Sequence, residues 1–229
     1  MAEDLASRIA VVRGRIRTAC ERAGRSPDDV TLIAVSKTHD TAAIGAAFAA
    51  GVYDFGENRV QEAATKVGPL RAAGTTPRWH FIGHLQSNKV ADAIDLFDIL
   101  HSVDSVHLAE AISRRTMHRV KVLMEVNVAG EASKFGAAPA DVSGLAEGIG
   151  SMPGLDLVGL MTVAPQVDDP ESVRPVFRTL RQLRDAVGLR ELSMGMTDDF
   201  EVAVEEGATL VRVGRALFGE RAPQTPGRA

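Results

Sequence analysis

One cysteine, Cys20, in 229 residues excludes an internal disulfide and any thiolate cluster for zinc. It falls on the apolar stripe of the first helical segment, which marks it as a buried thiol without a redox task. Tyrosine is equally scarce, with Tyr53 alone. An excess of one charge is also missing: 26 Lys+Arg against 30 Asp+Glu leave a net −4, with no basic footprint for nucleic acid or an anionic membrane surface. No apolar run reaches bilayer length, since the longest, Thr41 to Val52, is Ala/Gly-rich and too short to span. The opening Met1-Ala2-Glu3-Asp4 is acidic rather than basic, so a cytoplasmic protein is expected.

Several catalytic signatures are absent as well. There is no Gly-x-Ser-x-Gly elbow, no Gly-Lys-Ser/Thr phosphate loop and no His-Glu-x-x-His. His80 and His84 stand four apart in Trp79-His80-Phe81-Ile82-Gly83-His84, which reads as a strand end. Residues four apart in a strand lie about 13 Å distant and cannot share one ion, so no metal is expected. No low-complexity linker divides the chain, and no internal repeat is visible beyond a βα alternation.

What remains is a hydrophobic content of 45%, enough for one sizeable core. Leu5, Ile9, Val12, Ile16 and Cys20 recur at helical spacing until Gly24 and Pro27, which predicts an opening helix packed outside a barrel. Strands are expected near Thr31–Ser36, Val52–Phe55, Trp79–Ile82, Ile99–Val103, Val120–Val128, Leu155–Val163, Glu191–Ser193 and Leu210–Val213. Helices are expected between them, near His39–Ala50, Asn58–Ala73, Ser87–Ile94, Ser105–Arg115, Ala138–Ile149, Glu171–Val187 and Thr197–Glu206. Strict alternation at this length predicts an α/β fold, a single (β/α)8 TIM barrel with an extra N-terminal helix. An open doubly wound sheet is the alternative. The barrel domain should cover residues 1–220, with Arg221 to Ala229 a disordered tail. In the helix from Glu171, the row Arg174, Arg178 and Arg181 reads as a solvated face.

Lys37 ends the β-branched run Thr31-Leu32-Ile33-Ala34-Val35-Ser36, so a primary amine stands at the mouth of a buried strand. Burial disfavours an ammonium, and the neutral amine attacks an aldehyde to form a Schiff base. Taken alone, Lys37 is as simply a strand end that snorkels into solvent. The last two strands change that reading, because barrels bind phosphate where their final βα loops meet a helix N-terminus. Ser193-Met194-Gly195-Met196-Thr197 follows the seventh, with Thr197 as the expected N-cap, and Arg212-Val213-Gly214-Arg215 ends the eighth. Closure of the barrel would set both beside Lys37.

These stretches resemble one family. Ala34-Val35-Ser36-Lys37-Thr38, Phe55-Gly56-Glu57-Asn58-Arg59-Val60-Gln61-Glu62, Trp79 to Lys89, Gly159-Leu160-Met161-Thr162, Leu192-Ser193-Met194-Gly195-Met196 and Val211-Arg212-Val213-Gly214 are similar, in order, to the pyridoxal phosphate homeostasis proteins, the YggS/PROSC-like family. The resemblance implies a barrel like the N-terminal domain of alanine racemase without its second β-domain. It implies pyridoxal 5′-phosphate as cofactor, bound for homeostasis, with Lys37 as its Schiff-base lysine. By position, Asn58 would line the pocket and Met161 would lie near the ring. Ser193 and Thr197, with the Gly195 and Gly214 backbones, would hold the phosphate, and Arg212 would face the pyridine nitrogen. A guanidinium there disfavours protonation of that nitrogen and weakens the ring as an electron sink. The chain departs from the family pattern at Arg59 in place of Tyr, Thr197 in place of Ser and Arg215 in place of Thr.

A racemase needs a second acid/base group opposite its lysine. With Tyr53 alone at the start of the second strand, the chain reads as a carrier without strong catalytic activity that passes the cofactor to apo enzymes, and as a monomer. A racemase-like enzyme, a Schiff-base aldolase barrel and a pure interaction surface are the alternatives. Lys134, in the loop after strand five, is either a plain surface residue or a second amine for transfer.

Overall fold

The computed structural model describes residues 2–219. The predicted tail, Arg221 to Ala229, lies outside the described residues. Eight parallel strands close into a barrel in chain order: β1 Thr31–Val35, β2 Asp54–Glu57, β3 Arg78–Phe81, β4 Ile99–Val103, β5 Val120–Glu125, β6 Leu155–Met161, β7 Glu191–Ser193 and β8 Leu210–Val213. Closure is direct, since Thr31 to Ala34 pair with Leu210 to Val213. Around the barrel run α1 Ala2–Arg22, α2 Thr41–Ala49, α3 Val60–Ala72, α4 Val90–Leu96, α5 Val106–Ser113, α6 Val142–Gly150, α7 Arg174–Ala186, α8 Phe200–Glu205 and α9 Arg215–Phe218.

Strands covered on both faces need apolar residues at nearly every position, which is why β1 reads as an apolar run and β4 and β8 are broken only by the buried polar residues His101, Ser102 and Arg212. Alternate side chains then fill two separate cores. Phe55, Phe81, Leu100, Met124, Phe177 and Phe200 pack between strands and helices. Ile33, Ile99, Leu123, Val158, Met161 and Leu210 fill the lumen. The stripe of α1 is buried as expected, with Ile9, Val12, Ile16 and Cys20 facing inward. Its outer side joins α8 through Arg15 to Glu201 at 2.8 Å and Arg22 to Glu205 at 2.6 Å.

Three expectations change. Strands five and six stop short of Val128 and Val163, and beyond strand five Asn127 folds the chain back on itself. Its Nδ2 donates to the carbonyls of Glu131 and Lys134, and its Oδ1 accepts from the Glu131 N–H. Thr197 is not the cap of α8; Asp199 occupies that position, and its Oδ1 accepts from the Met196 N–H to close the turn. The arginine row is solvated only in part: the Arg178 side chain is 52% exposed, but the row is paired. Arg174, Arg178 and Arg181 converge on Glu206 at 3.0–3.2 Å, and Arg174 also reaches Glu205 at 2.6 Å. Burial pushes the Glu206 carboxyl up, but Arg178 and Arg174 outweigh it and hold the group below its ordinary range. The row thus clamps α7 to the end of α8.

Candidate functional site

A cleft of about 460 Å³ opens at the C-terminal mouth of the barrel, lined among others by Lys37, Asn58, Thr197, Arg212, Gly214 and Arg215. A larger cleft of about 590 Å³ lies at the opposite end, among Arg78, Asp98 and Lys121 at the N-terminal ends of β3, β4 and β5. Barrel chemistry sits at the C-terminal mouth, and only that cleft contains the strand-end lysine.

Alternation along β1 explains the direction of Lys37. Ile33 lies in the lumen core, so positions 35 and 37 follow it inward while Ser36 turns outward. Behind Lys37 the turn is held from both sides. The Ser36 hydroxyl donates to Glu57 at 2.7 Å, and Lys66 Nζ donates to the Ser36 carbonyl at 2.9 Å, to Glu57 at 2.8 Å and to Glu62 at 2.7 Å. Glu62 in turn accepts the Thr38 N–H. Thr38 has φ +70°, the only non-glycine with positive φ among the described residues. Left-handed backbone at a threonine costs on the order of 1–3 kcal/mol and persists where surrounding bonds over-determine it. The lysine is therefore presented by a strained, braced turn.

Asn58 follows β2 and is pressed against Gly83, where an added Cβ would lie 2.3 Å from the Asn58 carbonyl oxygen. On the far side, Arg212 is buried and reaches across the lumen. Its Nη1 donates to Ser193 Oγ at 2.6 Å and its Nη2 to the Thr162 carbonyl at 2.8 Å. Burial pulls this guanidinium down to about 10 against the pull of Asp199 and Glu125, and it stays cationic at neutral pH. Arg215 pairs with Asp198, tying together the loops after β7 and β8.

Five of the eight residues expected at the site, Lys37, Asn58, Thr197, Arg212 and Gly214, therefore share one cleft. Met161 belongs to the lumen core beneath it. Ser193 is fully buried and bonded to His101 and Arg212. Gly195, at φ +90°, is required by packing, since a Cβ there would come within 2.6 Å of Ala203 Cβ. Lys134 is not among the residues that line the cleft but stands directly behind them: its amine pairs with Glu131 at 2.6 Å and donates to the carbonyls of Ala164 and of Val163, which does line it. His80 and His84 are separated as expected, His80 inside the lumen and His84 stacked on Phe135 with centroids 3.6 Å apart.

A family model described as alanine racemase, N-terminal domain, matches residues 9–222. A protein of Pseudomonas aeruginosa named pyridoxal phosphate homeostasis protein is 46% identical over 222 residues, covering 95% of this chain and 96% of its own. Its namesake in Aquifex aeolicus is 44% identical over 223 residues, covering 93% and 97%. The chain belongs to this family. The solved structure of PipY from Synechococcus elongatus with PLP bound superposes at a TM-score of 0.81 with 37% identity, covering 94% of this chain and 100% of that one.

Within that family frame, Glu125 is a residue that the motifs do not mark. It ends β5, and burial, then Asp104, push its carboxyl up to about 7 against the opposing Arg212. The raised value fixes a sign. Below its ordinary range the group is neutral in both folded and unfolded chains. Between about 4.5 and 7 the folded chain keeps the proton that the unfolded chain loses, so stability falls as pH rises. Glu125→Gln should remove this slope and stabilise the protein at pH 8 by up to about 3 kcal/mol, with little effect at pH 4. Urea denaturation at the two pH values measures it, and an equal effect at both would refute the assignment.

Proposed function

We propose that the mouth cleft holds pyridoxal 5′-phosphate and that the protein binds, stores and delivers this cofactor inside the cell. The observation that carries the reading is one cleft in which a strand-end amine, Lys37, faces a buried guanidinium, Arg212, with Thr197 and Gly214 beside it. The donor set fits the group: an amine for the aldehyde, a hydroxyl and open backbone for the phosphate, and a donor-only cation for the ring nitrogen. The cleft is within the usual range for small-molecule sites. When bound, the cofactor supplies an aldehyde that a neutral amine attacks and a ring that withdraws electrons.

Lys37 acts as the nucleophile, with its turn held by Ser36, Glu57, Glu62 and Lys66. Arg212 would hold the ring nitrogen and, because it only donates, would disfavour protonation there. Ser193 supports Arg212 from below. A carrier is favoured over a racemase by the position of Tyr53, which precedes β2 at the far end of the barrel and packs edge-on against Phe48. No tyrosine among the described residues reaches the cleft, so no such partner stands opposite the lysine. Recipients of the cofactor are apo enzymes that require it.

Titration of purified protein with pyridoxal 5′-phosphate tests this. A yellow complex should form, and borohydride should fix the label to the peptide containing Lys37. A colourless mixture, or racemisation of alanine at ordinary enzyme rates, would overturn the proposal.

A further inference from the structure

Five polar side chains stand in a row through the barrel lumen. Asp54 opens β2, His80 lies on β3, His101 on β4, Ser193 ends β7 and Arg212 lies on β8. His80 Nε2 meets Asp54 Oδ1 at 2.8 Å, His80 Nδ1 meets His101 Nε2 at 2.9 Å, and His101 Nδ1 meets Ser193 Oγ at 2.9 Å. Arg212 Nη1 completes the row at 2.6 Å from the same Oγ. β4 and β7 are not neighbours in the sheet, so the bond between His101 and Ser193 crosses the lumen. All five are buried, beside Ile33, Ile99 and Leu123.

The two ends determine where every proton sits. A guanidinium donates only, so Ser193 Oγ accepts from Arg212 and its own hydroxyl proton has one partner left, His101 Nδ1. His101 therefore carries its proton on Nε2 and donates it to His80 Nδ1. His80 then donates from Nε2 to the carboxylate of Asp54, which Arg78 approaches at 3.3 Å on the outer side. Burial, then His80 and Arg212, hold the His101 imidazole well below its usual value, in keeping with a neutral ring. Reversing the direction would leave the buried Ser193 proton without an acceptor and would require an extra proton between His80 and Asp54.

We infer that Asp54, His80, His101 and Ser193 form a one-way hydrogen-bond relay that fixes the Arg212 guanidinium at the floor of the cleft. His101 is then a positioning residue that acts on the ligand through Ser193 and Arg212. The relay stands on the protein's own geometry. Its effect on a ligand rests on the reading of the cleft as a pyridoxal phosphate site, with Arg212 at the ring nitrogen.

Two measurements test the inference separately from that reading. In ligand-free protein labelled with 15N-histidine, long-range proton–nitrogen spectra should show His80 and His101 both as the Nε2–H form. A proton on Nδ1 of His101, or an imidazolium there at neutral pH, overturns the relay whether or not the cofactor binds. The second uses paired variants and the dissociation constant for pyridoxal 5′-phosphate. In His101→Asn the amide oxygen falls where Nδ1 stood and still accepts from Ser193, so affinity should stay within about threefold of wild type. In His101→Gln the amide reaches only the position of Nε2, and affinity should fall about tenfold, as expected for one lost buried hydrogen bond. Equal losses in the two variants, or the opposite order, overturn the positioning role. If wild type itself takes up no cofactor, the proposed function fails while the histidine spectra still decide the relay.

Discussion

Lys37→Ala protein stays colourless in excess pyridoxal 5′-phosphate under conditions in which the wild-type chain turns yellow. The substitution removes the only lysine among the residues that line the mouth cleft, and with it the proposed nucleophile for the aldehyde. The proposed hydroxyl and backbone contacts to the phosphate would survive, each such bond to a charged oxygen contributing about 1.5–3 kcal/mol. Binding should therefore weaken rather than vanish, by roughly 100-fold, or about 2.7 kcal/mol. Lys37→Arg separates charge from chemistry, because a guanidinium stays protonated and cannot attack, so this variant should be colourless too. Equilibrium dialysis with absorbance spectra measures both effects. A yellow Lys37→Ala protein with the reduced label on another lysine, Lys134 for instance, would show that the amine at position 37 is not the acceptor.

The largest loss of stability is expected at Lys66. Its side chain is 7% exposed and that of Glu57 is fully buried, with 2.8 Å between them. Lys66→Met leaves the Glu57 carboxyl in an apolar gap between β2 and α3, with only the Ser36 hydroxyl as partner. Breaking a buried pair in this way costs about 3–5 kcal/mol, which for a chain of this size lowers Tm by roughly 6–20 °C. Burial already pushes the Glu57 carboxyl up, against the opposing bonds from Lys66 and Ser36. Without Lys66 the value rises further, and the variant's deficit should be greater at pH 8, where Glu57 must ionise in place, than at pH 5, where it keeps its proton. Replacing both partners, as Lys66→Met with Glu57→Leu, should recover at least half of the loss. Thermal melts of the three proteins at the two pH values check this, and a double variant no better than the single one would refute the account. Because Lys66 also anchors Glu62, and through it the Thr38 N–H, the single variant should bind cofactor more weakly as well.

Much of the barrel was legible along the chain. Apolar runs such as Leu32-Ile33-Ala34-Val35 report strands covered on both faces, and the stripe from Ile9 to Cys20 reports a helix with one buried side. These are local patterns, and burial stamps its period on neighbouring residues. The position of Lys37 at the end of β1 follows from the same logic. The helix cap at Asp199 did not, because Thr197 and Asp199 are both capping types and only the path of the turn chooses between them.

The alternation of strand and helix, the closed barrel it favours and the amine at its mouth were thus determined by residue order alone. Which polar groups meet was decided by the tertiary structure. Arg174 looked solvated until α8 brought Glu205 and Glu206 beneath it. His101 reads as an ordinary strand residue until closure sets it against Ser193, 92 positions later. A periodic pattern records whether a side chain is buried, through the free energy of removing it from water, whereas a hydrogen bond depends on separations of a few tenths of an ångström that arise only when distant strands are brought together.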